Sequence, residues 1–220
     1  MIKAYYLVYD CETGGLYWDQ NPITQFACSI LDPYTLKEVD RFETYIKPYA
    51  DLTITKEALE KTMCSMADIK RGIDISEFVE TLAKFLKKYN PEKKNKEKGR
   101  LIPVGHNIDE FDNDFLYGAF ALFDYEWHDY VSRASIDTLP IAKLVWGKTG
   151  DEKINLTACC ERAGIEITDA HGAANDVAAT AELLRYFRKK LQSKKGDSST
   201  ENKTIKRKQG NEFFEFKCVD

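Results

Sequence analysis

Apolar positions fall into short strand-like segments at the start of this chain and into helical stripes from Thr55 onward. Ala4 to Tyr9 is a continuous apolar and aromatic run suited to a buried strand, and it delivers Asp10 and Glu12 just before a turn at Gly14 and Gly15. A second run, Ile23 to Leu31, ends at the turn signal Asp32-Pro33, and a third, Arg41 to Ile46, closes at Pro48. Three strands joined by short turns predict an antiparallel start to a sheet. Thr55 to Lys61 then reads as a short helix, and Ile75 to Tyr89 as a longer one with Phe78, Leu82, Phe85, Leu86 and Tyr89 on one stripe. Asn90-Pro91 stops it, and the polar EKKNKEKGR stretch that follows reads as a surface loop.

Leu101 to Val104 predicts another short strand, followed by an acidic cluster and a helix to Phe123. Val131 to Ile136 reads as a strand end, with Asp137 or Thr138 capping a helix through Val145. Asn155 caps a further helix that ends at Gly164, and the last strong helix spans Ala173 to Leu191. Strands first, then alternating helices and strands, predict an α/β mixed sheet covered by helices over 1–192, with a polar, flexible tail over 193–220.

Composition adds limits rather than a function. With 220 residues, 43% hydrophobic and 31% charged, the chain can bury one sizeable core and reads as an ordinary globular protein. No apolar run approaches about 18 residues and the start lacks a signal-peptide pattern, so an intracellular, cytoplasmic protein without membrane association is expected. The six cysteines show no CxxC or Cys/His zinc spacing, which favours free buried thiols. A net charge of −4 argues mildly against a nucleic-acid binder, except that a site which recruits divalent cations is itself acidic when empty.

The stretch GHNIDEFDNDF, residues 105–115, places Asp109, Glu110, Asp112 and Asp114 close together. Plotted on a helix from Phe111 as zero, Leu122, Phe115, Ala119, Phe123 and Leu116 fill an arc from about 20° to about 140°, and Asp112 lies inside it at about 100°. Glu110 and Asp114 fall on the opposite side, and Asp109 sits at the rim, placed to cap or complement the helix dipole. The same plot puts Asp176 in register with Leu183 and Phe187 on the buried stripe of the last helix. Asp10 and Glu12, two apart at a strand end, point to one face of the sheet. Carboxylates converging in a core repel or protonate unless something positive sits among them, and Mg²⁺ or Mn²⁺ meets that need. Each pair taken separately also reads as a cap or an ion pair.

These segments resemble the DnaQ-like, or DEDDh, 3′-to-5′ exonucleases. DCETGGL at 10–16 is similar to the first motif of that family, GHNIDEFDNDFL to the second and HGAANDVAATAELL to the third, with INLTACCERAGI between them. One departure is the spacing of three residues between Asn107 and Phe111, where many members have two. The resemblance covers about residues 4–190 and implies a ribonuclease H-like fold, a mixed five-stranded sheet with an antiparallel start and a parallel remainder, flanked by helices. It implies that Asp10, Glu12, Asp112 and Asp176 hold two metal ions, with Asp10 bridging, and that His171 is the general base. Thr13 and Gly14 would offer backbone N–H groups to the terminal nucleotide. Leu16 either wedges against the terminal base or is plain core, and Asn107 either touches substrate or caps the helix. His106 and His128 read as packing or surface, and the aromatic LFDYEWHDYV reads as core in preference to a base-stacking surface.

The implied activity is removal of nucleotides from a single-stranded DNA 3′ end as 5′-monophosphates, in proofreading or DNA processing. RNA trimming and a non-catalytic binding subunit are the alternatives. The tail KRKQGNEFFEF loosely matches a docking peptide for a DNA polymerase or sliding clamp, against an extra strand or disordered end.

Overall fold

Five strands build one mixed sheet in the computed structural model, which describes residues 4–62, 64–90, 101–147, 153–167, 172–193, 205–209 and 212–216. Strands β1 (Tyr6–Thr13), β2 (Ile23–Leu31) and β3 (Glu38–Tyr45) form an antiparallel meander, while β4 (Ile102–Gly105) and β5 (Ile136–Asp137) add in parallel to give the order β3-β2-β1-β4-β5. The expected antiparallel start and parallel remainder are both present. β2 is buried at every position and matches its sequence-based bounds, as a continuous run between two covered faces requires. β1 starts later than expected and extends through Thr13, so Asp10 and Glu12 lie in its last residues, as expected of a pair at a strand end.

Helices cover both faces. Toward one side, Leu7, Tyr9, Cys11, Phe26 and Cys28 meet Phe78 and Leu82 of α3 (Ile75–Lys87) and Phe115 and Leu116 of α4 (Asp112–Ala121) in an aromatic-rich core. Toward the other, Val8, Ala27 and Val104 meet Ala173, Val177 and Ala181 of α7 (Ala173–Ser193). The alternation in β1 follows directly: Leu7, Tyr9 and Cys11 face one core, while Val8, Asp10 and Glu12 share the α7 side.

The short helices are α1 (Lys56–Thr62), α2 (Met66–Arg71), α5 (Thr138–Trp146) and α6 (Leu156–Ala163). α5 and α6 carry their expected caps: the Asp137 carboxylate accepts from the Leu139 N–H, and Asn155 accepts from the Ala158 N–H. Gly164 closes α6 at φ 70°, a left-handed conformation that glycine adopts without penalty. α2 was not expected; its six residues bury only Ile69, too little for a visible stripe.

Two expectations in the acidic cluster fail. α4 begins at Asp112, so Asp109 and Glu110 precede the helix in a turn where the Phe111 and Asn113 N–H groups both reach the Ile108 carbonyl. The helix also stops at Ala121, and Leu122, placed by periodicity on the apolar arc, is 54% exposed. The chain leaves α4 through Asp124 at φ 59°, with the Tyr125 N–H turned back to the Phe120 carbonyl.

The chain divides into two compact units, Met1–Tyr186 and Phe187–Asp220. Within the second, β6 (Ile205–Gln209) and β7 (Glu212–Phe216) pair antiparallel, from Ile205 opposite Phe216 to Gln209 opposite Glu212, in the stretch read as a polar tail. EKKNKEKGR lies outside the described residues. Among the described residues no helix is long and apolar enough to cross a membrane, and Cys11, Cys28, Cys64, Cys159 and Cys160 are buried free thiols.

Candidate active site

The two carboxylates of β1 meet the first turn of α7. Carboxylate oxygens of Asp10, Glu12 and Asp176 all lie within 4.8 Å of one another. The first turn of α7 is closed by the Gly172 carbonyl, which accepts from the Asn175 N–H (2.9 Å) and the Asp176 N–H (3.1 Å). Asp112 stands beside this trio, 3% exposed, with its Oδ1 accepting the Cys11 N–H at 2.8 Å. That bond ties the start of α4 to the β1 residue between Asp10 and Glu12.

Burial and neighbouring carboxylates act on Asp10, Glu12 and Asp112. Burial, then Asp112, Glu12 and Asp176, hold Asp10 well above the usual carboxylate range. Burial pushes Glu12 up to about 7, with Asp176 and Asp112 adding to the rise and Lys61 opposing it. Burial likewise pushes Asp112 up to about 7 against the stabilising Cys11 N–H bond. Like charges so placed demand a counter-charge. An oxygen-only donor set of carboxylates is the chemistry of a hard divalent cation, so the residues fit the metal that the sequence implied.

The turn after β1 is held by close backbone approach. A Cβ on Gly15 would lie 2.5 Å from the Asn21 side chain, and one on Gly14 would lie 2.8 Å from Pro22 Cδ. Thr13 is buried and its hydroxyl donates to the Gly15 carbonyl at 2.7 Å. The Gly14 N–H, expected to face a nucleotide, already donates to the Pro22 carbonyl at 2.7 Å, which corrects that detail. Leu16 is 68% exposed at the tip of the turn, so it is not core.

Asn107 does not cap α4, whose cap position is Phe111. It sits at φ 72° in the turn that holds the extra residue of this segment, and its N–H donates to Asp137 Oδ1 at 2.9 Å. Asp137 also accepts from the Asp109 N–H, so one buried carboxylate shapes the approach to α4 as well as capping α5. Asp109 accepts from Ser135 Oγ (2.6 Å) and Asn113 Nδ2 (3.2 Å) rather than serving the helix dipole. Both ring nitrogens of His106 are held, by Thr138 Oγ1 and the Ile154 carbonyl, and His128 meets the Tyr117 hydroxyl. Trp127 and Tyr130 of the aromatic stretch are buried against Phe120, as the packing reading expects, whereas Leu122 and Phe123 at its start are exposed. His171 lies outside the described residues.

Sequence reasoning missed Gln25, a buried amide on β2 directly opposite Glu12, because its neighbours read as an ordinary strand. Asp137 was seen only as a cap; its hold on the turn before α4 needs a partner 30 residues away.

The exonuclease family model (RNase_T) matches residues 7–184. A PolC-type DNA polymerase III of Oceanobacillus iheyensis is 29% identical over 181 residues, covering 81% of this chain and 11% of that protein. A ribonuclease T of Hahella chejuensis is 28% identical over 183 residues, covering 81% of this chain and 80% of that one. Escherichia coli exonuclease I in complex with a dA16 oligonucleotide superposes with a TM-score of 0.69 at 19% identity, over 86% of this chain and 43% of that one. That likeness is one of fold, the ribonuclease H-like mixed sheet flanked by helices. The chain thus spans about a tenth of the polymerase and under half of exonuclease I.

Proposed function

The chain belongs to the exonuclease family, and from that premise we propose that it is a metal-dependent 3′-to-5′ exonuclease acting on single-stranded DNA ends to release 5′-mononucleotides. The observation that carries this reading is the convergence of Asp10, Glu12 and Asp176 within 4.8 Å, with Asp112 buried alongside. Asp10, Glu12, Asp112 and Asp176 would hold two Mg²⁺ or Mn²⁺ ions. Bound there, such ions activate a water and stabilise the leaving oxygen of an in-line phosphoryl displacement.

The chain's own residues supply the rest. His171, five positions before Asp176, accepts the proton of the attacking water as general base. Thr13 and Gly14 shape the turn against which the terminal nucleotide rests, and Leu16, exposed at its tip, leans on the terminal base. Asn107, in the turn before α4, touches the substrate in this reading. Replacing Leu16 by Ala is expected to raise KM for a single-stranded oligonucleotide roughly 3- to 10-fold, the scale of losing about 1 kcal/mol of apolar contact, with kcat changed less. Steady-state kinetics check this; an unchanged KM would return Leu16 to a passive surface position.

RNA trimming is the second reading, favoured by the ribonuclease T relative, which matches this chain over most of its own length. Chromatography of the products from matched DNA and RNA oligonucleotides ranks the two. Release of 5′-mononucleotides predominantly from DNA supports the first reading, faster release from RNA the second, and release from neither refutes both. Similarity to a PolC-type polymerase also supports association with a DNA polymerase or clamp as the setting of the activity.

A further inference from the structure

Gln25 is 4% exposed, and its amide links three segments. Its Oε1 accepts from the Ala173 N–H at 3.4 Å and the Cys64 thiol at 3.7 Å, and its Nε2 donates to Glu43 Oε1 at 2.9 Å. Ala173 opens α7, three residues before Asp176, and Gln25 pairs across the sheet with Glu12. The first N–H groups of a helix have no partner inside it, so a side-chain acceptor at that point fixes where the helix begins. An amide does this without charge, whereas a carboxylate would add a further negative group next to Glu12.

We propose that Gln25 is a positioning residue: by holding the α7 N-terminus onto β2, it sets the separation of Asp176 from Asp10 and Glu12 and so the affinity of the cation site. The inference rests on the metal-dependent reading above. Glu43, exposed on β3, steadies the amide from its other end.

The test compares full-length Gln25→Leu and Glu43→Ala with Ser29→Ala. Ser29 lies on the same strand and is also buried, but its hydroxyl goes to Glu38 (2.7 Å) rather than to α7. Mn²⁺ binding is measured by calorimetry without substrate, alongside thermal melting and kinetics on a single-stranded oligonucleotide. Gln25→Leu is expected to weaken Mn²⁺ binding roughly 10- to 100-fold and to lower kcat by a similar factor at limiting metal, with KM for the oligonucleotide changed less than about threefold. Glu43→Ala shifts Mn²⁺ affinity in the same direction by roughly 2- to 5-fold, and Ser29→Ala leaves it unchanged whatever its melting temperature.

Folded Gln25→Leu with wild-type Mn²⁺ affinity overturns the assignment, as does an equal loss in Ser29→Ala. Should Gln25→Leu fail to fold, unchanged affinity in Glu43→Ala overturns it. Absence of Mn²⁺ binding to the wild-type chain would refute this inference together with the metal-dependent reading, whereas wild-type binding with unaffected variants refutes this one alone.

Discussion

Asp112→Ala is expected to lower the rate of nucleotide release by roughly 10³-fold or more, the scale on which one member of a cooperating catalytic set acts, while Asp114→Ala and Glu110→Ala stay within about threefold of wild type. The asymmetry comes from position. Asp112 is the first residue of α4, is buried, and is locked to the Cys11 N–H between Asp10 and Glu12. Asp114 and Glu110 are exposed. Asp112→Ala also leaves that N–H buried without its acceptor, which costs about 1–3 kcal/mol of stability, so melting curves accompany the kinetics. Asp112→Asn retains an acceptor for the bond and should therefore melt closer to wild type while remaining inactive. An active Asp112→Asn, or an inactive Asp114→Ala, would show that the carboxylate has been assigned to the wrong face of α4.

Asp10→Asn is expected to stabilise the metal-free chain and to weaken the stabilisation that Mn²⁺ confers. Glu12 and Asp112 are pushed up to about 7 in the folded chain, and Asp10 well above its ordinary range, whereas unfolded carboxylates titrate near about 4. Between those values the folded state holds more protons than the unfolded one, so this cluster's contribution to metal-free stability falls as pH rises from about 4 through about 7. Neutralising Asp10 relieves the repulsion. In chelator at pH 8 the variant should melt several degrees above wild type, at about 2–4 °C per kcal/mol for a domain of this size, and the gain should vanish near pH 5. Saturating Mn²⁺ should stabilise wild type more at pH 8 than at pH 5, because the carboxylates must lose their protons to bind, and should stabilise Asp10→Asn far less. Differential scanning calorimetry over the two pH values decides it. A variant that melts below wild type at pH 8 would mean that the three carboxylates are already compensated by another group.

How far the sequence carried this picture depended on the range of the interactions involved. β2 was legible to the residue because its apolar Ile23, Phe26, Ala27, Cys28, Ile30 and Leu31 are bounded by the turn signal Asp32-Pro33, although Thr24, Gln25 and Ser29 are buried with them. The caps of α5 and α6 were legible because Asp137 and Asn155 act on N–H groups within three residues. Helical register singled out Asp112 even though the helix starts later than expected, since Asp112, Phe115, Leu116 and Ala119 are all inside it. The ends of α4 were not legible: its beginning is arranged by Asp137, and Leu122 lies past the last helical residue. β5 is two residues long and exists as a strand only through its pairing with β4. Gln25 was the hardest to see, because its role depends on Ala173, 148 residues away.

The most direct test of the central claim is a time course on single-stranded oligonucleotides labelled at the 5′ or the 3′ end, incubated with the chain in Mn²⁺ or in EDTA. With Mn²⁺ the 5′-labelled strand should shorten into a ladder and the 3′-labelled strand should release labelled mononucleotide from the outset, both suppressed by EDTA. No metal-dependent shortening of DNA or RNA, or a ladder from the 3′-labelled strand instead, would contradict the account.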